Sequence, residues 1–200
     1  MDKLTYRVGG GLYVNLTNRC TMNCTFCIRS HHKGVGDAPT LWLSKEHPRE
    51  EILEDIISQN PARFDEIVFC GFGEPTERLC DMLWICSELK KSENAPKTRV
   101  NTNGHASLIA GKDVAPLFSG LLDAVSISLN APTAEEYVSL CRPEAGEQAF
   151  YAMLDFAEKV KKFVPDTVLS VVDILGPRKL TQCRAFCDRI GVPLRVRHYT

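Results

Sequence analysis

The chain lacks any apolar run near the roughly 18 to 20 residues that a bilayer crossing needs, and neither end carries a basic region leading into an apolar signal stretch. A soluble, cytoplasmic protein is therefore expected. A dominant charge is also missing: 24 Lys plus Arg against 25 Asp plus Glu leave a formal net of -1, without the long basic stripe that holds a phosphate backbone. The segment "RVRHY", Arg195 to Tyr199, makes only a small local basic patch, so there is no strong nucleic-acid signal. Internal repeats and low-complexity stretches are absent. With 200 residues and 44% hydrophobic content, one domain spanning 1-200 with a substantial core is expected.

What the chain has in excess is cysteine. Nine is an odd number for a disulfide framework, in a chain long enough to fold without staples. A reducing cytoplasm would keep all nine as thiols or ligands. Their placement is uneven: Cys20, Cys24 and Cys27 crowd into "CTMNCTFC", whereas Cys70, Cys80, Cys86, Cys141, Cys183 and Cys187 are spread through segments that read as strands and helices.

Strand-like runs occur at Gly9 to Thr17, Phe64 to Cys70, Thr98 to Thr102, Leu122 to Asn130, Thr167 to Leu175 and Val192 to Tyr199. Helical periodicity fills the gaps. From Lys45 to Gln59 the residues Ile52, Leu53, Ile56 and Ile57 share one side, with Pro48 in the first turn. From Thr76 to Lys91 the core positions are Leu79, Leu83, Cys86 and Leu89, and further helices are expected at Thr133 to Leu140, Glu147 to Phe163 and Lys179 to Ile190. The polar stretch Arg29 to Asp37, with His31 and His32, suits a mobile surface loop. Six strands separated by helices imply a parallel sheet with the loops after the strands on one rim. An open doubly wound sheet and a curved partial barrel both satisfy this pattern.

Three clustered thiolates with no fourth cysteine close by pose a coordination problem, because structural zinc usually takes four protein ligands. A cubane [4Fe-4S] cluster fits well: each thiolate ligates one iron corner and the fourth iron is left for a non-cysteine ligand. Met22 and Phe26 can shield such a cluster, and nearby N–H groups can tune it through the sulfurs. The rivals are zinc with a distant fourth ligand, such as His31 or another cysteine, and unliganded thiols. "GFGEPT" after the second strand is, by itself, an ordinary turn and helix start with Pro75 early in the helix.

Together, "CTMNCTFC" and "GFGEP" resemble the radical S-adenosylmethionine (radical SAM) enzymes, which share a cysteine loop of this spacing, usually with an aromatic residue before its last cysteine, as Phe26 is. The resemblance implies a partial (β/α)6 TIM-type barrel of parallel strands. It also implies that Cys20, Cys24 and Cys27 bind a [4Fe-4S] cluster, and that S-adenosylmethionine is cleaved reductively to a 5'-deoxyadenosyl radical that takes hydrogen from a substrate. Gly71, Phe72, Gly73, Glu74 and Pro75 match the family's glycine-glycine-acid-proline segment, with Phe72 in place of the commoner second glycine. That segment contacts the cofactor's amino group, for which Glu74 supplies a fixed oxygen acceptor.

Other rim residues carry weaker signals. Asn101 and Asn103 in "NTNG" point either to cofactor or substrate, or to an ordinary turn. Ser128 and Asn130 resemble a segment that touches the cofactor ribose in relatives, where an acid often stands at the second position. Arg195 or Arg197 is a candidate for the cofactor carboxylate, although strand alternation puts both on one face and both can simply be solvated; Asp173 lies toward the end of the fifth strand. Cys183 and Cys187 stand four apart on an expected helix and read as buried apolar thiols in preference to ligands of a further cluster. Cys70, Cys80 and Cys86 receive the same reading. Cys141, in a loop after a short helix, is a candidate substrate-side thiol.

The chain resembles little more than the family's minimal core, and "LYVNLTNRCTMNCTFCIR" looks most like the short members encoded beside TatD-type DNases. A small molecule filling the half-open barrel is the favoured substrate, with a partner-protein loop as the alternative and flavodoxin or ferredoxin as electron donor. The open rim could be closed by dimerisation or by a mobile segment such as His31 to Thr40. The functional alternatives are an activase of a glycyl-radical partner and a non-enzymatic iron-sulfur redox or regulatory protein.

Overall fold

The computed structural model describes residues 2–31 and 34–198; His32 and Tyr199, which figure in the expectations above, lie outside them. One seven-stranded sheet is formed by β1 (Thr5–Val8), β2 (Gly11–Val14), β3 (Glu66–Phe69), β4 (Lys97–Thr102), β5 (Ala124–Ser128), β6 (Asp166–Val172) and β7 (Leu194–Arg197), lying side by side in chain order. β1 and β2 are antiparallel, joined at Gly9-Gly10, and every later neighbouring pair is parallel. The helices are α1 (Ile28–His31), α2 (Arg49–Ser58), α3 (Leu79–Leu89), α4 (Ala106–Ala110), α5 (Ala134–Cys141), α6 (Glu147–Val160) and α7 (Gly176–Ile190).

Strand order decides between the two architectures that the sequence left open. A doubly wound sheet reverses its order at a switch point and covers both faces. Here the order never reverses, so right-handed crossovers put successive helices on the same face and the other face becomes a concave interior. The two faces differ in chemistry. Leu12, Val14, Ile67, Phe69, Val100, Val125, Ile127, Leu169 and Val171 are all essentially inaccessible and pack under the helices. Alternation places Tyr13, Glu66, Arg99, Asn101, Ser126, Ser128, Ser170, Arg195 and Arg197 on the opposite side. The sheet also curls: Arg195 lies within electrostatic reach of Glu66, and Arg197 within reach of Cys70. A flat sheet would hold β7 about 19 Å from β3. The result is a mostly parallel, unclosed partial barrel.

Several boundaries differ from the sequence reading. β1 was not expected; its four residues are buried only at Thr5 and Tyr6, so it has no sustained apolar pattern. Asp173–Leu175 is a 3-10 turn and not the end of a strand. α2 begins after Pro48, which caps it from outside, and Ile57 is 55% exposed because the buried stripe is Ile52 and Ile56 alone. The expected helix at Thr76 to Lys91 is a 3-10 turn, Pro75–Arg78, followed by α3, whose buried face is Met82, Ile85, Cys86 and Leu89. Cys80 is therefore exposed, correcting its reading as a buried thiol. Cys183 and Cys187 are buried against the main core, as expected.

The stretch expected as a mobile surface loop, Arg29 to Asp37, is half-buried or exposed at every described residue, and packing begins only beyond it, at Ala38. Ile28–His31 is helical, Val35 bridges Ala38, and Ala38 and Leu41 form a second small core with Tyr6 and Phe72. Among the described residues no helix is long and apolar enough to cross a membrane.

Candidate active site

At the C-terminal rim of the parallel strands lies a cavity of about 340 Å³. Its walls bring together Cys20, Cys24 and Cys27 with Gly71, Phe72, Gly73 and Glu74, and with Asn101, Asn103, Ser128 and Asn130. Two of the sequence candidates stand apart. Pro75 is buried as the first residue of its 3-10 turn, where a missing N–H costs nothing. Arg195 does not line the cavity; it sits two residues earlier on β7 than Arg197, which does. Strand alternation identified the face but not the depth, and of the two arginine candidates it is Arg197 that reaches the cavity wall.

The cysteine loop is positioned by the end of α5. The last carbonyls of any helix have no partner within it. Here Leu140 and Cys141 accept from the N–H groups of Thr25 (2.9 Å) and Asn23 (3.2 Å), and Glu144 N donates to Thr21 O at 3.0 Å. Arg142, with φ of 46°, turns the chain out of the helix. Side chains add a second brace: Thr21 Oγ1 lies 3.2 Å from His105 Nδ1, and His105 Nε2 lies 3.0 Å from the Tyr137 hydroxyl. Burial holds His105 down to about 4, against the small opposing effect of a backbone hydrogen bond. It is a neutral ring that braces the loop. Neither His105 nor Tyr137 was identified from sequence, since a buried polar pair between a turn and a helix has no local pattern.

The loop is braced from the strand side by "GFGEP". Glu74 N donates to Arg19 O at 2.7 Å. A Cβ on Gly73 would stand 2.2 Å from Thr17 O and 2.6 Å from Arg19 O, and one on Gly71 would stand 2.1 Å from Asn15 Oδ1. Loop backbone thus leaves no room for a side chain at Gly73, and at Gly71 the obstacle is the buried Asn15 side chain. Phe72 turns into the second core, where its ring meets Trp42 edge-on at 5.3 Å. Its bulk is absorbed there, which accounts for a phenylalanine where a glycine was expected.

Glu74 is 4% exposed, and its carboxylate is held by four donors. Oε1 accepts from Thr76 N (3.0 Å), Thr76 Oγ1 (2.8 Å) and Thr102 Oγ1 (2.7 Å). Oε2 accepts only from Asn103 N, at 2.7 Å, and so retains acceptor capacity. Burial nevertheless outweighs these donors and holds the carboxyl above its ordinary range, so a cation placed at Oε2 would be favoured.

The asparagines divide. Asn103 Oδ1 accepts from His105 N (2.9 Å) and its Nδ2 donates to Thr21 Oγ1 (3.2 Å). Its side chain is occupied with the turn and the loop brace. Asn101 Oδ1 accepts from Arg99 Nη1 at 2.7 Å. Asn130 adopts a left-handed conformation at φ 56°, its Nδ2 meets Cys141 Sγ at 3.6 Å, and its buried Oδ1 has no partner. An orphaned acceptor on a cavity wall is costly unless a ligand supplies a donor.

The thiols fit a metal cluster. None of the nine cysteines is in a disulfide. Burial, then the nearby Glu74, pushes Cys20 up to about 12, and burial also raises Cys27. Cys24 is raised chiefly by a hydrogen bond with Cys141. Thiolates in this setting need a positive partner, which iron supplies. Among the described residues no three His, Cys, Asp or Glu side chains form a group that could hold one metal ion. A cubane does not require that convergence, because each thiolate takes its own iron. His31, the rival zinc ligand, has Nε2 3.0 Å from the Thr25 carbonyl. Cys141 is no loop thiol: it ends α5, fully buried against Cys24 and Asn130.

Comparison with known proteins places these features. Residues 14–184 match the family described as the radical SAM superfamily. The chain is 31% identical over 159 residues to the tungsten-containing aldehyde ferredoxin oxidoreductase cofactor-modifying protein of Pyrococcus furiosus, a match covering 76% of this chain and 38% of that protein. It is 33% identical over 139 residues to the GTP 3',8-cyclase of Corynebacterium glutamicum, covering 68% of this chain and 35% of the cyclase. The chain thus spans little more than a third of the length of these relatives. In fold it is similar to the FeFe-hydrogenase maturase HydG of Carboxydothermus hydrogenoformans, with a TM-score of 0.63, 16% identity and coverage of 95% of this chain and 44% of that one. A radical SAM methyltransferase from Sphaerobacter thermophilus superposes with a TM-score of 0.53 at 15% identity, covering 97% and 68% of the two chains.

Proposed function

The chain belongs to the radical SAM superfamily, whose members use a [4Fe-4S] cluster and S-adenosylmethionine, and from that premise we propose that Cys20, Cys24 and Cys27 hold the cluster while the facing wall holds the cofactor. One observation carries the reading. Three half-buried thiols share a 340 Å³ cavity with a carboxylate oxygen that keeps a free acceptor site and with an orphaned amide oxygen. Bound together, the cluster and S-adenosylmethionine supply a 5'-deoxyadenosyl radical for hydrogen abstraction.

The chain's own contribution is placement. Glu74 Oε2 accepts from the cofactor's ammonium, and Gly73 brings the backbone close to it. Asn130 Oδ1 and Ser128 accept and donate at the ribose hydroxyls. Met22, Phe26 and the phenyl-packed Gly71–Gly73 turn shield the site from water. The substrate is a small molecule admitted to the open barrel, and a flavodoxin or ferredoxin delivers the electron. The run Leu12 to Arg29 supports grouping the chain with the TatD-associated members of the family.

The test is anaerobic reconstitution followed by metal and sulfide analysis. About four irons and four sulfides per chain are expected, falling to background in Cys24→Ala and unchanged in Cys183→Ala. One equivalent of zinc in a colourless protein that takes up no iron would overturn the assignment.

A further inference from the structure

The concave face below the rim carries an unbalanced charge. Its inward-facing ionisable groups from β3, β4 and β7 include Glu66, Arg99, Arg195 and Arg197. Glu66 and Arg99 satisfy one another, with Arg99 Nε 2.8 Å from Glu66 Oε2. Arg195 feels Glu66 only at longer range. Among the described residues neither Arg195 nor Arg197 has a carboxylate at ion-pair distance. Asp173, near the end of β6, pairs with His198 at 2.7 Å. Glu74, the carboxylate on the cavity wall, accepts from four donors and forms no ion pair with either arginine, and the acceptor site left on its Oε2 is the one assigned to the cofactor's ammonium.

Arg197 faces the cavity that holds the thiols, within electrostatic reach of Cys70 and Cys24. Arg197 is exposed on the strand, and the protein packed around it lowers its pKa from the ordinary arginine value by desolvation. With no carboxylate at ion-pair distance among the described residues, its N–H donors on the cavity side are open to an anion. Its planar fork suits the two oxygens of a carboxylate or phosphate.

We propose that Arg197 binds a carboxylate or phosphate group of the substrate. The substrate is then a small anionic molecule, held by its charge against β7 and presenting a carbon–hydrogen bond to the rim. This deepens the radical SAM reading and rests on it. S-adenosylmethionine brings a carboxylate of its own, so the experiment separates the two sources.

Anaerobic calorimetry on the reconstituted protein uses inorganic phosphate and succinate as anion probes, and S-adenosylhomocysteine as an unreactive cofactor mimic. With the mimic saturating, wild type binds at least one probe, Arg197→Gln weakens that binding about tenfold or more, and Arg197→Lys weakens it less. Affinity for the mimic stays within about twofold of wild type. The proposal is overturned if wild type binds neither probe. It is equally overturned if Arg197→Gln loses the mimic and keeps the probes, which would give the arginine to the cofactor carboxylate. Failure of the radical SAM reading has a different signature: no iron uptake and no mimic binding in wild type. Arg197→Lys keeps the charge and the fold, so the comparison survives if the glutamine variant is unstable.

Discussion

The cysteine loop and β7 face one another across one cavity, and they are built in opposite ways. The loop is tied on every side: its N–H groups cap α5, its Arg19 carbonyl receives Glu74 N, and Thr21 meets both Asn103 and His105. β7 is four residues long, pairs only with β6, and carries two arginines without ion pairs among the described residues. The loop is preorganised, so its geometry costs little to maintain when a ligand binds. The strand instead presents exposed guanidinium groups whose donors are open to a ligand. That contrast matches a cofactor end held in fixed geometry and a substrate end defined by one charge.

The comparison breaks most sharply at Gly73. Any side chain there meets the carbonyls of Thr17 and Arg19, and both are backbone, so the loop itself must move. Gly73→Ala should lower stability by about 3 kcal/mol or more and abolish iron retention. A denaturant melt within about 0.5 kcal/mol of wild type would show that the loop is less constrained than described.

Acid tests the same brace from the His105 side. In the fold His105 is held down to about 4, against 6.5 for a free histidine. Between those values the unfolded chain binds a proton that the native state does not, so stability rises with pH through this window and is lost as pH falls from 6.5 toward 4. The loss should be on the order of 2–3 kcal/mol. Between pH 4 and 6.5 the stability of wild type should climb more steeply with pH than that of His105→Gln, which lacks this pH-dependent part. A wild-type profile flat over the window would contradict the neutral, buried ring.

A smaller effect is expected at the carboxylate that joins the two halves. Glu74→Gln keeps the shape but sets an amide N–H against at least one of four donors, costing about 1.5–3 kcal/mol if its partners are left unsatisfied. Iron loading should persist while S-adenosylhomocysteine affinity drops about tenfold or more. Unchanged affinity in calorimetry would remove Glu74 from the cofactor site.

The preorganised end was also the more legible one. Cys20, Cys24, Cys27 and Gly71 to Glu74 were singled out from sequence because short spacing sets them on two loops, and the succession of strands and helices along the chain needed only the periodicity of apolar runs, whereas strand order in the sheet did not show there. The braces escaped. His105 and Tyr137 meet across 32 positions, and Glu74 reaches Thr102 and Asn103 across nearly as many, so only the folded chain shows these partners. β1 escaped because half of its four residues are exposed. The choice between Arg195 and Arg197 depended on depth along the barrel, which strand alternation cannot give.

The central claim is that this cavity joins an iron-sulfur cluster to S-adenosylmethionine, and product analysis tests it most directly. Reconstituted wild-type protein, given dithionite and S-adenosylmethionine without oxygen, should form 5'-deoxyadenosine and methionine in equal amounts, and Cys24→Ala should form neither. A wild-type protein that retains four irons yet yields no 5'-deoxyadenosine, even with extract of anaerobic cells supplying substrate, would contradict the account and leave an iron-sulfur redox or regulatory protein in its place.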